Sequence, residues 1–252
     1  MAERFLEGKA ALVTAGSRNL GAAISLALAE RGAGVAVNYR SSRDDAEALV
    51  GRMSEHGGGH RAVEGDCSTP EGAAALVADA RAALDGRPIQ VLVANYGPFS
   101  MTPFAEMPDD EFRRIWEANL AAAHAGVRAA VPGMRQAGWG RIVNVSAGSA
   151  YLRNHSIYSL AKAALITFTE ILALELGPEI TVNGVAPGQI AESAEDIAEF
   201  DPSFVERAVA ATPIGRLVTR AEVAAIVAEL CGPLFDGVSG VTIPIDGGWR
   251  LP

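Results

Sequence analysis

The chain is poor in cysteine, short of basic residues and opens with no long apolar run, and each shortage removes a class of protein. Only Cys67 and Cys231 occur in 252 residues. Two thiols cannot build a disulfide scaffold, and nothing near them has the paired spacing of metal ligands, so a reducing cytoplasm is expected and a metal is not. Lys and Arg number 21 against 30 Asp and Glu, a formal net charge of −9. Such a balance repels phosphate backbones and anionic bilayers, so neither nucleic acid nor membrane is an expected partner. The opening Met-Ala-Glu-Arg-Phe-Leu-Glu-Gly-Lys lacks the apolar core of a secretion signal. No later apolar stretch is read as reaching membrane-spanning length without interruption, and a cytoplasmic protein is expected.

What is present is 49% hydrophobic and 20% charged with 27 glycines, the profile of a soluble enzyme rich in tight turns. The length suits one large core, so residues 1–252 are expected to form one domain. Short β-branched runs alternate with Ala-rich amphipathic segments. Strands are expected at 10–14, 34–39, 60–64, 89–94, 141–145, 180–185 and 241–245. Helices are expected at 22–31, 44–55, 70–84, 109–136, from about 155 to 176, and 220–231. Nearly continuous apolar strands separated by helices imply a parallel sheet covered on both faces, the α/β doubly wound Rossmann arrangement. The stretch 189–216 is too long and irregular for a plain crossover and is read as a substrate lid.

Tyr158 and Lys162 lie one helical turn apart and therefore share a face. A neighbouring cation favours phenolate, lowering a pKa that starts near about 10 and making Tyr158 a usable proton donor near neutrality. A packed ring beside a solvated lysine is the plain alternative at this spacing. Upstream, the first strand runs into Thr14-Ala15-Gly16-Ser17-Arg18-Asn19-Leu20-Gly21 and then a helix, where a turn of this kind sets a pyrophosphate on a helix N-terminus. Asn19 tolerates positive φ, and Ala15 adds only a methyl group. The second strand ends Asn38-Tyr39-Arg40-Ser41-Ser42. Tyr39 stands where an acid would grip a ribose 2′-hydroxyl, while Arg18, Arg40 and Ser41 surround the place of a 2′-phosphate, so NADP(H) is expected rather than NAD(H).

From about Leu6 to Gly248 these ordered motifs resemble those of the short-chain dehydrogenase/reductase superfamily. The family turn reads Thr-Gly-x-x-x-Gly-x-Gly, and here Ala15 and Asn19 replace two of its glycines. The resemblance implies that Asp66 and Cys67 contact adenine, and that Ala94-Asn95-Tyr96-Gly97 corresponds to the family's Asn-Asn-Ala-Gly. It implies that Pro187-Gly188-Gln189-Ile190 covers the nicotinamide and Asp246-Gly247-Gly248 forms the C-terminal turn. By the same resemblance Tyr158 donates a proton to a substrate carbonyl, Lys162 lowers its pKa and holds the nicotinamide ribose, and Asn119 links Lys162 to water. Hydride transfer belongs to the nicotinamide.

One partner is displaced. In Gly140-Arg141-Ile142-Val143-Asn144-Val145-Ser146-Ala147, alanine stands where the family places a serine that donates to the substrate oxygen. Ser146, taken as the simplest replacement, competes with Ser149, Asn144, Tyr151 and His155, or with catalysis that lacks the group. A lost oxyanion donor costs several kcal/mol, so a reactive or enolisable substrate is one compensation. Glu192 stands where a family threonine holds the carboxamide. Tyr96, Phe99, Met101, Tyr151, His155 and Trp249 are candidate walls of an aromatic substrate pocket, and Glu192 is a candidate at its edge. The implied activity is reduction of a ketone, with an aromatic polyketide as the suggested substrate. Enoyl reductases of this fold place a tyrosine where His155 stands, and a non-catalytic cofactor-binding sensor is the rival of another class. The family also implies a homotetramer built on its long helices.

Overall fold

Seven short strands stack in parallel because almost every residue in the central five is apolar and buried, which leaves no face for water. They are β1 (Ala10–Val13), β2 (Gly34–Tyr39), β3 (Arg61–Glu64), β4 (Val91–Ala94), β5 (Gly140–Val145), β6 (Ile180–Pro187) and β7 (Thr242–Ile245). Only the edge strands β3 and β7 keep partial exposure. The structure is a computed structural model that describes residues 3–100, 102–151 and 156–251. The sheet order is β3-β2-β1-β4-β5-β6-β7. β1 is flanked by β2 on one side and β4 on the other, so the crossovers diverge there and open a crevice beyond the strands' carboxyl ends.

Helices α1 (Asn19–Glu30), α2 (Arg43–Met53), α3 (Pro70–Ala83), α4 (Asp109–Trp116), α5 (Ala122–Gln136) and α6 (Ile157–Leu176) follow in order, then α7 (Ala191–Ala198), α8 (Phe204–Ala210) and α9 (Arg220–Glu229). One core, with Ile24, Leu28, Leu49, Val223 and Val227, lies under α1, α2 and α9. The other, with Leu76, Val127, Met134 and Leu172, lies under α3, α5 and α6. Local signals start several helices. Thr69 accepts from Gly72 N ahead of Pro70, Ser156 accepts from Ser159 N, and Thr219 with Glu222 forms a capping box.

Four sequence expectations are corrected. The helix expected over 109–136 is broken by a π-helical turn at Glu117–Ala121, the kind of bulge that re-aims a side chain. The helix expected from about 155 begins at Ile157, since Ser156 is its extended cap. The stretch 189–216 is not irregular: α7 and α8 fold over a small core of Ala194, Ala208 and Leu217. Finally, α6 is long and apolar enough to cross a membrane by length and composition. Here it packs Ala161, Leu165 and Leu172 into the interior and buries Lys162.

His60, just before β3, is 4% exposed and accepts from Val35 N through Nδ1 at 3.2 Å. Burial lowers its pKa. The unfolded chain therefore binds the proton more readily, and stability conferred by the neutral ring is complete above about pH 6.5 and is lost as pH falls through the folded value. Urea unfolding at about pH 7.5 and about pH 5.5 should show that His60→Gln flattens this acid-side loss relative to the parent chain.

Candidate active site

The crevice at the β1 switch point is shaped by its first turn. Ala15 and Asn19 sit at φ 49° and 50°, the left-handed region that asparagine tolerates best among residues with a side chain. The two retained glycines have a different task. A Cβ on Gly21 would collide with Ala15 O, and one on Gly16 would stand 2.8 Å from Val13 O, so both are needed for close backbone packing. Asn38 Oδ1 accepts from Ala15 N at 2.8 Å, while Asn38 Nδ2 donates to Gly65 O at 3.0 Å. Thr14 Oγ1 accepts from Asn95 N and Tyr96 N at 2.9 and 3.0 Å. Sequence reading missed Thr14 and Asn38 as organisers of this turn; one polar residue within the otherwise apolar β2 was the available signal.

Next to the turn lies a cleft of about 320 Å³, lined by Ser17, Arg18, Asn19, Leu20, Gly21, Tyr39, Arg40, Ser41, Asp66, Cys67, Asn95, Tyr96 and Gly97. Its donors suit a dinucleotide. The α1 N-terminus has no side-chain cap and no acid in its first turn, leaving backbone N–H groups for a phosphate. Arg18 and Arg40 reach only 3.8 Å from Asp45 and 3.9 Å from Asp66, in well exposed pairs that compete weakly for the guanidinium groups. Ser17 Oγ and Ser42 Oγ share a hydrogen bond of 2.8 Å across the cleft's rim. Tyr39 turns its hydroxyl away, donating to Glu64 Oε2 at 3.2 Å, so burial raises its pKa. Hydrogen bonds from Ser68 hold the Asp66 carboxyl below its ordinary value, and burial pushes the Cys67 thiol up to about 11. The buried thiol is a neutral wall.

Along the sheet, β6 ends at Pro187 and runs on into Gly188. Gly188 N donates to Ile245 O at 2.9 Å, and a Cβ there would lie 2.7 Å from Asp246 Cβ. Ile190 bridges to Val218. Glu192 does not reach into the cleft: its carboxylate accepts from Arg220 N at 3.1 and 3.2 Å and fastens the start of α7 to the start of α9.

The third group gathers around α6. Lys162 is 2% exposed, and its Nζ donates to Val145 O at 2.7 Å and stands 5.6 Å from the Tyr158 ring centre. Burial pulls the amine down to about 7 and pushes the Tyr158 phenol up to about 12. This reverses the lowering expected from the sequence: desolvation of the ring raises the phenol, and the buried amine, itself depressed, does not offset it. Phe99 covers it edge-on, with ring centres 5.1 Å apart. Asn119, on the π turn, donates through Nδ2 to Ile115 O at 2.9 Å and Pro98 O at 3.0 Å. Its buried Oδ1 has no partner among the described residues. A Cβ on Gly97 would collide with that Oδ1 and stand 2.6 Å from Lys162 Nζ. Gly97, Asn119, Lys162 and Tyr158 therefore converge.

Ser146 does not join them. Its hydroxyl donates to Lys162 O at 2.8 Å, and Asn144 Nδ2 is engaged by Thr169 Oγ1 at 2.9 Å. Ser149 Oγ is buried without a partner among the described residues. Tyr151 is 40% exposed, under the Arg250 guanidinium at 5.1 Å. Tyr96 lines the nucleotide cleft. His155 and Met101 lie outside the described residues.

A doubly wound sheet with a phosphate turn at its switch point, and Tyr158 beside the buried Lys162 and Asn119, defines the dinucleotide-binding class of α/β enzyme. A family model described as Enoyl-(Acyl carrier protein) reductase matches residues 14–250. Versicolorin reductase 1 of Aspergillus parasiticus is 35% identical, covering 96% of this chain and 97% of that protein. The 3-oxoacyl-(acyl-carrier-protein) reductase of Pseudomonas aeruginosa is 34% identical over 98% and 99%. A crystal structure of a putative short-chain alcohol dehydrogenase from Sinorhizobium meliloti superposes with a TM-score of 0.90 at 28% identity, covering 98% of both chains. A blue fluorescent protein from a metagenomic library, solved in complex with NADPH, gives 0.83 at 33% identity, with 97% and 99% covered. The chain belongs to the short-chain dehydrogenase/reductase superfamily and is an oxidoreductase of that family.

The depressed amine yields a stability test. Lys162 must give up its proton on folding at any pH between about 7 and its ordinary value of 10.5, so it destabilises most at and below about pH 7. Lys162→Met should therefore raise the melting temperature, with the gain largest near pH 7 and shrinking toward pH 10. Thermal unfolding across that range checks it.

Proposed function

We propose that the chain reduces a ketone of a hydrophobic, aromatic polyketide-type substrate to the alcohol, using NADPH. The observation that carries this reading is the convergence of Tyr158, Lys162 and Asn119 beside Gly97. When bound, the nicotinamide supplies the hydride. Tyr158 Oη gives its proton to the substrate oxygen, and Lys162, once charged, stabilises the phenolate left behind. The Asn119 Oδ1 lone pair offers water a place beside Lys162. The pyrophosphate is held at Gly16, Asn19, Leu20 and Gly21, and the nicotinamide between Tyr158, Lys162, Pro187, Gly188 and Ile190. Arg18, Arg40, Ser17 and Ser41 support the 2′-phosphate and hence NADP(H) over NAD(H). Similarity to a versicolorin reductase supports a fused aromatic substrate, for which Phe99 and Tyr151, half open to solvent, are suitable walls. Free, buried Cys67 and Cys231 accord with a reducing cytoplasm.

The description of the matching family model favours a second reading, reduction of an activated C=C bond. Tyr158, one turn before Lys162, supports the carbonyl reaction instead. Single-turnover oxidation of bound NADPH with a panel of aryl ketones and enones separates the two. Tyr158→Phe should lower ketone turnover at least about a hundredfold with NADPH affinity unchanged; turnover within a few fold of the parent would reject the assignment. The double change Arg18→Ala with Arg40→Ala should weaken NADPH at least about tenfold and leave NADH nearly untouched, by calorimetry.

The homotetramer is proposed on the apolar groove between the π turn and α6, lined by Trp116, Leu120, His124, Phe168 and Ile171, beside exposed Leu160 and Leu174. Light scattering should return a multiple of 26.1 kDa, and Ile171→Glu should lower it.

A further inference from the structure

We propose that the Tyr96 ring is the platform on which the purine base of the nucleotide stacks, an aromatic contact at a position the family fills with alanine. The proposal rests on the cofactor-binding reading above and assigns Tyr96 to the base, not to the ketone.

Tyr96 is fixed by its backbone: Thr14 Oγ1 accepts from Tyr96 N at 3.0 Å, and the neighbouring Asn95 side chain donates to Thr14 O at 3.0 Å. The ring thus projects from a rigid strand end. Tyr96 packs against the apolar cluster that contains Leu76, Val77 and Leu92 and borders a small gap with Ala118 and Gly126. It also lines the nucleotide cleft with Arg40, Asp66 and Cys67. These belong to the ends of β2 and β3, the adenosine end of the crevice, whereas the aromatic neighbour of Tyr158 is Phe99. Burial raises the Tyr96 phenol, with Cys67, Arg40 and Asp66 all near enough to act on it. A half-buried neutral ring, packed on an apolar cluster and bordering the cleft beside a neutral thiol, suits a purine. Stacking on such a ring is worth roughly five- to a hundredfold in affinity per base.

The test uses fragments that carry one half of the cofactor each. Titration calorimetry measures adenosine 2′,5′-bisphosphate and reduced nicotinamide mononucleotide against the parent chain, Tyr96→Phe and Tyr96→Leu. Leucine fills the same apolar space without an aromatic face, so the backing cluster is kept. The expected result is bisphosphate binding within twofold of the parent for Tyr96→Phe and about tenfold weaker for Tyr96→Leu, with mononucleotide binding equal in all three. Equal or tighter bisphosphate binding by Tyr96→Leu overturns the proposal, as does an equal loss in Tyr96→Phe. No bisphosphate or NADPH binding by the parent chain overturns the cofactor reading and this proposal with it. Failure of ketone turnover alone leaves both fragment affinities to decide the matter.

Discussion

The clasp between the end of β5 and the second turn of α6 is the contact on which the site depends. Lys162 Nζ donates to Val145 O, and one residue later the Ser146 hydroxyl donates back to Lys162 O. The two bonds run in opposite senses between the same two elements, so neither the strand end nor the helix can slide without leaving a buried polar group unpaired. Tyr158 is positioned as a consequence, one turn before the residue that is clamped. The clasp is also the reason Ser146 cannot serve the substrate: its proton is already committed to the helix backbone.

The sheet order supplies the second constraint. Divergence of the crossovers at β1 leaves the nucleotide cleft on one side and the Tyr158–Lys162 group on the other, joined through the Asn95-Tyr96-Gly97 segment at the end of β4. Each of those three residues looks in a different direction. Asn95 ties back to Thr14, Tyr96 borders the nucleotide cleft, and Gly97 leaves the space that Asn119 Oδ1 and Lys162 Nζ share. A segment that faces three parts of one site tolerates few changes of shape, though it can change in chemistry.

The seven strands, the doubly wound class and the phosphate turn were legible because they follow from apolar periodicity and from residues adjacent in sequence; the strand order and the extra helices α7 and α8 came only from the structure. Asn19 could be read as a left-handed residue without coordinates, since few other side chains accept that conformation. The pKa of Tyr158 was misread because it depends on how far the ring is desolvated and on what holds Lys162 Nζ, and both are set by β5 and Phe99, distant in sequence. Glu192 was misread for a similar reason: its partner, the backbone of Arg220, is brought near only by the folding of α7 and α8. The break at Asn119 is a property of hydrogen-bond register inside a helix, to which hydrophobic spacing is blind.

Departures from the family at Tyr96, Ala147 and Glu192 bear on whether the site is active or decayed. Glu192 has taken a structural task at α9, and Tyr96 keeps its backbone bonds to the phosphate turn. The 3₁₀ turn that follows Ala147 packs against α6 and β6, with a Cβ on Gly148 only 3.2 Å from Gly188 Cα. None of these sites is a void. Meanwhile the chain retains a fully buried lysine with one acceptor and an asparagine oxygen without a partner among the described residues, both of which cost stability. A protein that only held a nucleotide would gain by replacing them with apolar residues. Their presence beside Tyr158 accords with the proposed proton chemistry at a substrate oxygen, and it weighs against the sensor reading.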